Sequence, residues 1–216
     1  MDSTRLRICE MYRSLQGESL AAGLPCTLIR LGGCDLRCRW CDTEHAFDQG
    51  TAMTVDEILA QVVQLGDDLV LITGGEPLLQ RSVHTLIDRL LDRGSHVQLE
   101  TGGHRPLAEV DERVEIIMDI KCPSSGENAS IRLENLAHLK PTDQLKLVLA
   151  DEQDYRWARD LVGTHALDTR CHVIFAPVHG ELPPARLAEW ILGDRLRVRL
   201  CLQLHKLIWT PERRGV

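Results

Sequence analysis

Short aliphatic runs alternate with helical patterns along most of the chain, and this alternation constrains the fold more than any other feature. Runs rich in β-branched and aliphatic residues predict strands at 27–33, 68–75, 96–103, 114–121, 144–150, 172–178 and 197–204. Between them, apolar residues recur at helical spacing in 55–65, 77–94, 151–163 and 183–194. Repeated strand–helix–strand units with nearly continuous apolar strands predict parallel strands that are buried on both faces.

Two of the predicted helices carry recognisable end signals. Thr54 is followed three residues later by Glu57, the spacing of a capping box at the start of a helix. Gly94 stands where the second helix is expected to end, in the position that favours a left-handed backbone. Both signals support the helix assignments.

Polar and glycine-rich segments follow the predicted strands directly: GGC, TGGEP, ETGG, IKCPSSG, APVHG and LHK. In a barrel these segments share one rim, whereas an open doubly wound sheet uses mainly those at its switch point. Their spread over nearly all strands favours the barrel. A complete eightfold barrel usually needs about 250 residues, and this chain has 216. We therefore predict an α/β fold, an incomplete, laterally open TIM-type barrel of about six parallel strands, forming a single domain over 1–216.

The composition excludes several classes of protein. A net charge of -7 argues against nucleic acid as a partner, because such binders are basic. The sequence has neither a secretory signal nor an apolar run long enough to span a membrane, so we expect a cytoplasmic protein without membrane association. Five of the eight cysteines are scattered, which does not resemble a disulfide framework, and the clustered remainder indicates metal binding or catalysis.

The clustered cysteines, Cys34, Cys38 and Cys41, lie in the stretch GGCDLRCRWCDT directly after the first predicted strand. Three interpretations are open. With His45 they form a compact Cys3His set for zinc; they are unligated thiols; or they hold a [4Fe-4S] cluster with one iron left open to an exogenous chelator. A closed structural zinc site does not explain the position at the carboxyl end of a strand.

The spacing C-x3-C-x2-C resembles the signature of the radical S-adenosylmethionine enzymes, and Trp40 stands where that family has an aromatic residue before its third cysteine. The segment Gly74-Gly75-Glu76-Pro77 is similar to the family's GGEP element, although alone it would fit any strand-to-helix turn with proline at the first helical position. The resemblance implies a [4Fe-4S] cluster on the three cysteines. It also implies S-adenosylmethionine as the source of a hydrogen-abstracting 5′-deoxyadenosyl radical.

Three further segments resemble the 7-carboxy-7-deazaguanine synthase family: YRSLQGES with CTLIRLGGC, the CDT that ends the cysteine motif, and QLHKLIW near the end of the chain. The resemblance implies radical ring contraction of 6-carboxy-5,6,7,8-tetrahydropterin to 7-carboxy-7-deazaguanine with release of ammonia, in queuosine or deazapurine biosynthesis. It further implies Mg2+ on the substrate carboxylate, a homodimer, and a reductant such as flavodoxin or ferredoxin.

The resemblance also assigns residues, including a short N-terminal substrate-binding segment. Contacts to S-adenosylmethionine are implied for Trp40, Cys41, Asp42, Gly74, Gly75, Glu76, Lys121, Cys122, Pro123, Ser124, Phe175, Ala176, Pro177 and Val178. Thr43 is the implied Mg2+ ligand, and an oxygen ligand suits this hard cation. Substrate contacts are implied for Leu15, Gln16, Gly17, Glu18, Arg30, Thr73 and His205.

Several of these residues have plainer alternative roles. Thr43 could cap a helix or a turn, Arg30 could be solvated or paired, His205 could be a core histidine, and Cys122 is best explained as a small buried side chain. The extension TPERRGV puts in doubt a role for the terminal carboxylate in closing the substrate site. Two competing functions also remain open, an activase of glycyl-radical enzymes and a zinc-stabilised binding module.

Overall fold

The computed structural model of the chain describes residues 4–211 and 213–216. Within these ranges the strands are β1 (Arg5–Leu15), β2 (Pro25–Leu31), β3 (Thr51–Thr54), β4 (Leu69–Gly74), β5 (His96–Thr101), β6 (Glu115–Lys121), β7 (Gln144–Leu149), β8 (His172–Pro177) and β9 (Arg199–Leu200). The α-helices are α1 (Val55–Leu65), α2 (Val83–Asp92), α3 (Glu152–Thr164), α4 (Pro184–Gly193) and α5 (Leu204–Ile208). No helix in the described ranges is long and apolar enough to cross a membrane.

All of these strands belong to one sheet, in the order β3-β1-β2-β4-β5-β6-β7-β8-β9. From β2 through β9 every neighbouring pair runs parallel, while β1 runs antiparallel to both β2 and β3. The terminal strands of this order, β3 and β9, do not pair with each other, so the sheet is not closed. The predicted α/β fold with an open parallel sheet is confirmed.

The two faces of the sheet differ in polarity. On the helix-covered face, alternate residues such as Ile29, Ile72 and Leu99 are fully buried against the helices in the main hydrophobic core. Burying an aliphatic side chain of this size contributes about 1.5–3 kcal/mol. The intervening residues on the other face include Arg30, Thr73, Glu100, Asp119 and Lys146, which line a cavity. The inner strands are buried on both faces, as expected, but this second face carries polar residues beside apolar ones such as Leu28 and Leu71. The two faces can differ because successive strand side chains point in opposite directions.

The structure corrects the strand predictions at both ends of the sheet. Neither β1 nor β3 was among the predicted strands; β1 is interspersed with charged residues because only one side of it is buried. The predicted strand 197–204 is wrong over most of its length, since only Arg199 and Leu200 pair with β8. The chain then leaves the sheet, because the Leu204 amide donates to the Gly17 carbonyl at 2.9 Å and α5 begins there.

The helix-end signals behave as predicted. The Thr54 side chain accepts from the Glu57 amide, and the Glu57 carboxylate accepts from the Thr54 amide, which completes a capping box. Gly94 follows α2 with a φ of 86°. The predicted helix 77–94, however, is split into a 3-10 turn at Pro77–Leu79 and α2. Gln80 lies between them, and its side-chain amide donates to the carbonyls of Arg7 and Gly32.

Candidate functional site

A cavity of about 660 Å³ opens on the polar face of the sheet, towards the carboxyl ends of its parallel strands. Most residues that the sequence assigned to cluster, cofactor, Mg2+ or substrate line this one cavity: Leu15, Gln16, Gly17, Glu18, Arg30, Cys34, Cys38, Trp40, Cys41, Asp42, Thr43, Thr73, Gly74, Gly75, Glu76, Lys121, Val178 and His205. They come from the two ends of the chain as well as its middle. The fold therefore brings together segments up to 190 positions apart, from Leu15 to His205.

Six assigned residues do not line the cavity: Cys122, Pro123, Ser124, Phe175, Ala176 and Pro177. The Phe175 ring packs edge-on against Tyr155, with ring centroids 6.1 Å apart, in the helix-side core. Cys122 is fully buried in the same core, which agrees with its interpretation as a small buried side chain. The Ser124 carbonyl accepts from Arg39 Nε at 3.1 Å, so this segment supports the cysteine loop from outside the cavity.

The cysteine loop, residues 34–41, is held by backbone and arginine contacts. Arg37 Nη1 donates to the Cys34 carbonyl at 2.9 Å, and the Arg39 amide donates to the Ser125 carbonyl at 2.9 Å. The Cys41 amide donates to the Cys38 carbonyl at 3.1 Å, which forms a tight turn between the second and third thiols. All three thiols reach the cavity and are only partly exposed.

Burial favours the neutral forms of the Cys34 and Cys38 thiols when no metal is bound. Burial raises the pKa of the Cys38 thiol to about 11, although the nearby Lys121 ammonium acts in the opposite direction. Burial likewise raises the pKa of the Cys34 thiol, and repulsion from the Glu76 carboxylate adds to this shift. A soft metal centre that binds here must therefore displace protons from these thiols.

His45 does not complete a compact zinc set with the cysteines. Its Nε2 atom lies 3.3 Å from Glu10 Oε2, the same oxygen that accepts from Arg30 Nε at 2.8 Å. Throughout residues 4–211 and 213–216, no three His, Cys, Asp or Glu side chains are spaced to hold a single metal ion. Three thiols that line one cavity without being grouped for a single ion fit a larger group, and thiolate ligands suit an iron–sulfur cluster.

The turn after β4 lies directly against the cysteine loop. The Glu76 amide donates to the Gly33 carbonyl at 2.7 Å, and the Gly75 amide donates to the Leu31 carbonyl at 3.0 Å. A Cβ atom on Gly75 would lie 2.1 Å from the Gly33 carbonyl oxygen and 2.8 Å from Cys34 Cβ. Glycine at 75 is thus required for the loop and the turn to approach this closely.

Glu76 connects this turn to the turn that follows β5. Its buried carboxylate accepts from the Leu78 amide at 3.0 Å, the Thr101 hydroxyl at 2.8 Å and the Gly102 amide at 2.8 Å. His104 Nδ1 lies 3.7 Å from this carboxylate, while its Nε2 lies 2.7 Å from Asp35. The two glycine-rich turns and the cysteine loop are therefore cross-linked by one carboxylate and one imidazole.

The last residues of the chain also line the cavity. Lys206 Nζ lies 2.8 Å from Asp42 Oδ2. Burial opposes ionisation of Asp42, but the Lys206 ammonium outweighs it and lowers the pKa of this carboxyl below its usual value. Burial lowers the pKa of His205, so its imidazole is mainly neutral at pH 7. Beyond α5, the extension lines the same cavity through Pro211, Arg213, Arg214 and Val216.

Arg30 forms the ion pair of its plainer alternative, whereas Thr43 does not cap a helix through its side chain. Arg30 is paired with Glu10 yet still lines the cavity, and its side chain is 14% exposed. Thr43 occupies the N-cap position of the 3-10 helix Glu44–Ala46, but its hydroxyl makes no capping hydrogen bond. That hydroxyl lies 3.7 Å from Cys41 Sγ and faces the cavity.

Sequence reasoning missed a charged group on the cavity floor, formed by Glu100, Asp119 and Lys146. Lys146 Nζ lies 2.5 Å from Glu100 Oε1, 3.3 Å from Asp119 Oδ2 and 2.8 Å from Glu18 Oε2. A signal was present, since each of these residues places a charge next to aliphatic residues within a strand. Charges within strands of a buried sheet require partners or a ligand.

Comparisons with known proteins agree with this geometry. A model of the Radical SAM superfamily matches residues 28–124. Proteins from Koribacter versatilis and Chlorobaculum tepidum, both named 7-carboxy-7-deazaguanine synthase, are each 48% identical to this chain; the alignments cover 98% of it and 100% and 97% of the relatives. A protein of the same name from Methanospirillum hungatei is 40% identical over 97% of this chain and 88% of its own.

Solved structures agree on the fold. The crystal structure of QueE from Escherichia coli matches with a TM-score of 0.76 at 24% identity, covering 92% of this chain and 94% of the other. Streptococcus suis SuiB matches with a TM-score of 0.56 at 14% identity, covering 77% and 46%. At these identities the likeness concerns the fold alone.

The chain is a radical S-adenosylmethionine enzyme: its parallel sheet is open, three thiols line the cavity, and the superfamily model matches. Enzymes of this class use a [4Fe-4S] cluster and S-adenosylmethionine. Within that class, nearly full-length identity of up to 48% shows that the chain belongs to the 7-carboxy-7-deazaguanine synthase family. The activase and zinc-module alternatives have no support from these relatives.

The close contact at Gly75 gives a first prediction. Gly75→Ala is expected to displace the cysteine loop and to lower the iron content after anaerobic reconstitution to less than about half of the wild-type value, because an added Cβ atom overlaps the Gly33 carbonyl. Iron per chain and thermal melting should be measured together.

Gly163→Ala is the matched control. A Cβ atom at Gly163, inside α3, meets nothing within 4 Å, and the change should leave the iron content unchanged and stabilise the helix by up to about 1 kcal/mol. Full iron loading of the Gly75→Ala variant would show that the contact does not position the loop.

Proposed function

We propose that this enzyme converts 6-carboxy-5,6,7,8-tetrahydropterin to 7-carboxy-7-deazaguanine with release of ammonia. The observation that carries the proposal is the shared cavity: the three thiols, the Gly74–Glu76 turn, the N-terminal loop around Glu18 and the tail at His205 all line it. Its volume of about 660 Å³ suits a nucleoside-sized cofactor with a bicyclic substrate. Relatives with the corresponding name support the choice of reaction.

The residues present fit the cofactors of the class. Cys34, Cys38 and Cys41 offer three soft ligands on one wall, which leaves one iron of a cubane cluster without a protein ligand. When both are bound, the cluster and S-adenosylmethionine would supply the radical that abstracts a hydrogen atom. The Gly74–Glu76 turn beside Cys34 leaves backbone accessible to the methionine part of S-adenosylmethionine, because its glycines have no side chains.

The chain's own groups orient the pterin. Arg30 presents a guanidinium whose orientation is fixed by Glu10, and a planar cation suits a carboxylate or carbonyl. Gln16 is buried and donates through Nε2 to Gln98 at 2.9 Å, so its side chain orders the N-terminal loop. Glu18 is then the residue of this loop that accepts hydrogen bonds from the aminopyrimidine edge. His205, mainly neutral at pH 7, can donate or accept a hydrogen bond at the cavity wall.

Thr43 is our proposed protein ligand for Mg2+. Its hydroxyl faces the cavity and is not used to cap the following 3-10 helix, so it remains available. Mg2+ prefers oxygen ligands and keeps several waters, which suits a single hydroxyl together with a substrate carboxylate. The homodimer, the flavodoxin or ferredoxin reductant and the cytoplasmic location stay proposals that rest on the family resemblance or the composition.

The product assay tests the reaction. Anaerobically reconstituted enzyme, reduced and supplied with S-adenosylmethionine, Mg2+ and the tetrahydropterin, should form 7-carboxy-7-deazaguanine, detected by mass spectrometry. Cys38→Ala should lose both the cluster and the product. Formation of 5′-deoxyadenosine without deazaguanine in the wild type would count against the assigned substrate while preserving the class.

Thr43→Ala tests the metal ligand. The variant should keep wild-type iron content but need at least about tenfold more Mg2+ for half-maximal product formation, because one ligand is lost. Thr43→Ser keeps the hydroxyl and should behave like the wild type. Equal Mg2+ dependence of the alanine and serine variants would remove Thr43 from the metal site.

A further inference from the structure

Five charged residues form a connected group on the floor of the cavity, which we call the Lys146 cluster: Glu18, Glu100, Asp119, Lys121 and Lys146. They come from the N-terminal loop and from β5, β6 and β7. Lys146 Nζ contacts all three carboxylates, and Lys121 Nζ lies 3.0 Å from Asp119 Oδ1. The group is therefore one network and not a set of separate ion pairs.

The members of the Lys146 cluster differ in how far they are exposed. The Lys146 side chain is 5% exposed, whereas those of Glu18 and Glu100 are 17% and 24% exposed. All three side chains line the cavity, and the two carboxylates are more accessible than the lysine. In this position the lysine has little direct access to a bound molecule.

Both carboxylates are fixed yet retain acceptor capacity. Glu18 accepts from Lys146 through one oxygen and from Gln203 Nε2, at 2.8 Å, through the other. Glu100 accepts from Lys146 and, at 3.3 Å, from the Thr73 hydroxyl. A carboxylate offers about four lone-pair positions. Each therefore uses two with the protein and keeps about two for donors in the cavity.

The charges of the cluster do not balance. Three carboxylates face two ammonium groups, which leaves one negative charge in excess on a largely buried floor. Burial alone would lower the pKa of Lys146, but the three carboxylates raise it well above its usual value, so the lysine stays charged. A surplus acceptor on a cavity floor suits a ligand that presents N–H donors.

We propose that Lys146 is a positioning residue that fixes Glu18 and Glu100 as an acceptor pair for the N–H donors of a 2-amino-4-oxopyrimidine, and that this pair selects the pterin over its 2-oxo counterpart. Glu100 is then a further substrate-binding residue. The inference rests on the proposed function, because it takes the pterin as the occupant of the cavity.

Binding of two stable probes tests the selection. Isothermal titration of the reconstituted enzyme with S-adenosylmethionine present compares 6-carboxypterin with 6-carboxylumazine, which has an oxo group in place of the 2-amino group. The wild type should prefer the pterin by about 10- to 100-fold, as expected for a hydrogen bond to a charged group. A wild-type enzyme that binds both equally would overturn the inference.

Glu100→Gln and Lys146→Met should each reduce this preference to less than about threefold. Glu100→Gln is isosteric, so it keeps the test decisive if Lys146→Met fails to fold. The matched controls are Glu115→Gln, on β6 outside the cavity, and Lys140→Met, whose ammonium lies 2.9 Å from Asp143. Both controls should keep the wild-type preference, since loss of fold stability alone does not change which probe is selected.

The outcomes separate the two proposals. Wild-type enzyme that forms no deazaguanine and binds neither probe would refute the proposed function. Product formation with an unchanged probe preference in Glu100→Gln would refute only the role of the acceptor pair. Loss of preference in both variants, with the wild-type iron content retained, would support it.

Discussion

The direct backbone contact between the cysteine loop and the turn after β4 is the constraint on which the site depends. The Glu76 amide donates to the Gly33 carbonyl, and the absence of a side chain at Gly75 lets the two segments touch. This contact places Cys34 beside the end of β4. Glu76 then extends the same assembly to the turn after β5 through the Thr101 hydroxyl and the Gly102 amide.

The chemistry of the site follows from the two-sided character of the sheet. One face packs against the helices and supplies the core, while the other presents charges that only a network can stabilise. The two ends of the chain complete this second face. Glu18 joins Lys146 and the His205 tail joins Asp42, so residues far apart in sequence share one cavity. The residues proposed for the cluster, the cofactor and the substrate thereby lie around one cavity.

Local patterns in the sequence predicted much of this structure. The Thr54–Glu57 capping box, the inner parallel strands and the cysteine loop are set by neighbouring residues, and all appear where expected. Strand β1 was missed because an edge region buried on one side has no continuous apolar run. The tail at 204–208 and Lys146 depend on contacts more than 120 positions away, which local spacing cannot reveal. The charge within QLKLVLA was the available signal for Lys146.

The central claim is that three thiols hold a cluster whose fourth iron is free for S-adenosylmethionine. Its most direct test is metal analysis with electron paramagnetic resonance of the anaerobically reconstituted, reduced enzyme. The account predicts about four irons per chain and a spectrum that changes when S-adenosylmethionine is added. A colourless protein with one zinc and no iron, or a cluster spectrum that S-adenosylmethionine leaves unchanged, would contradict it.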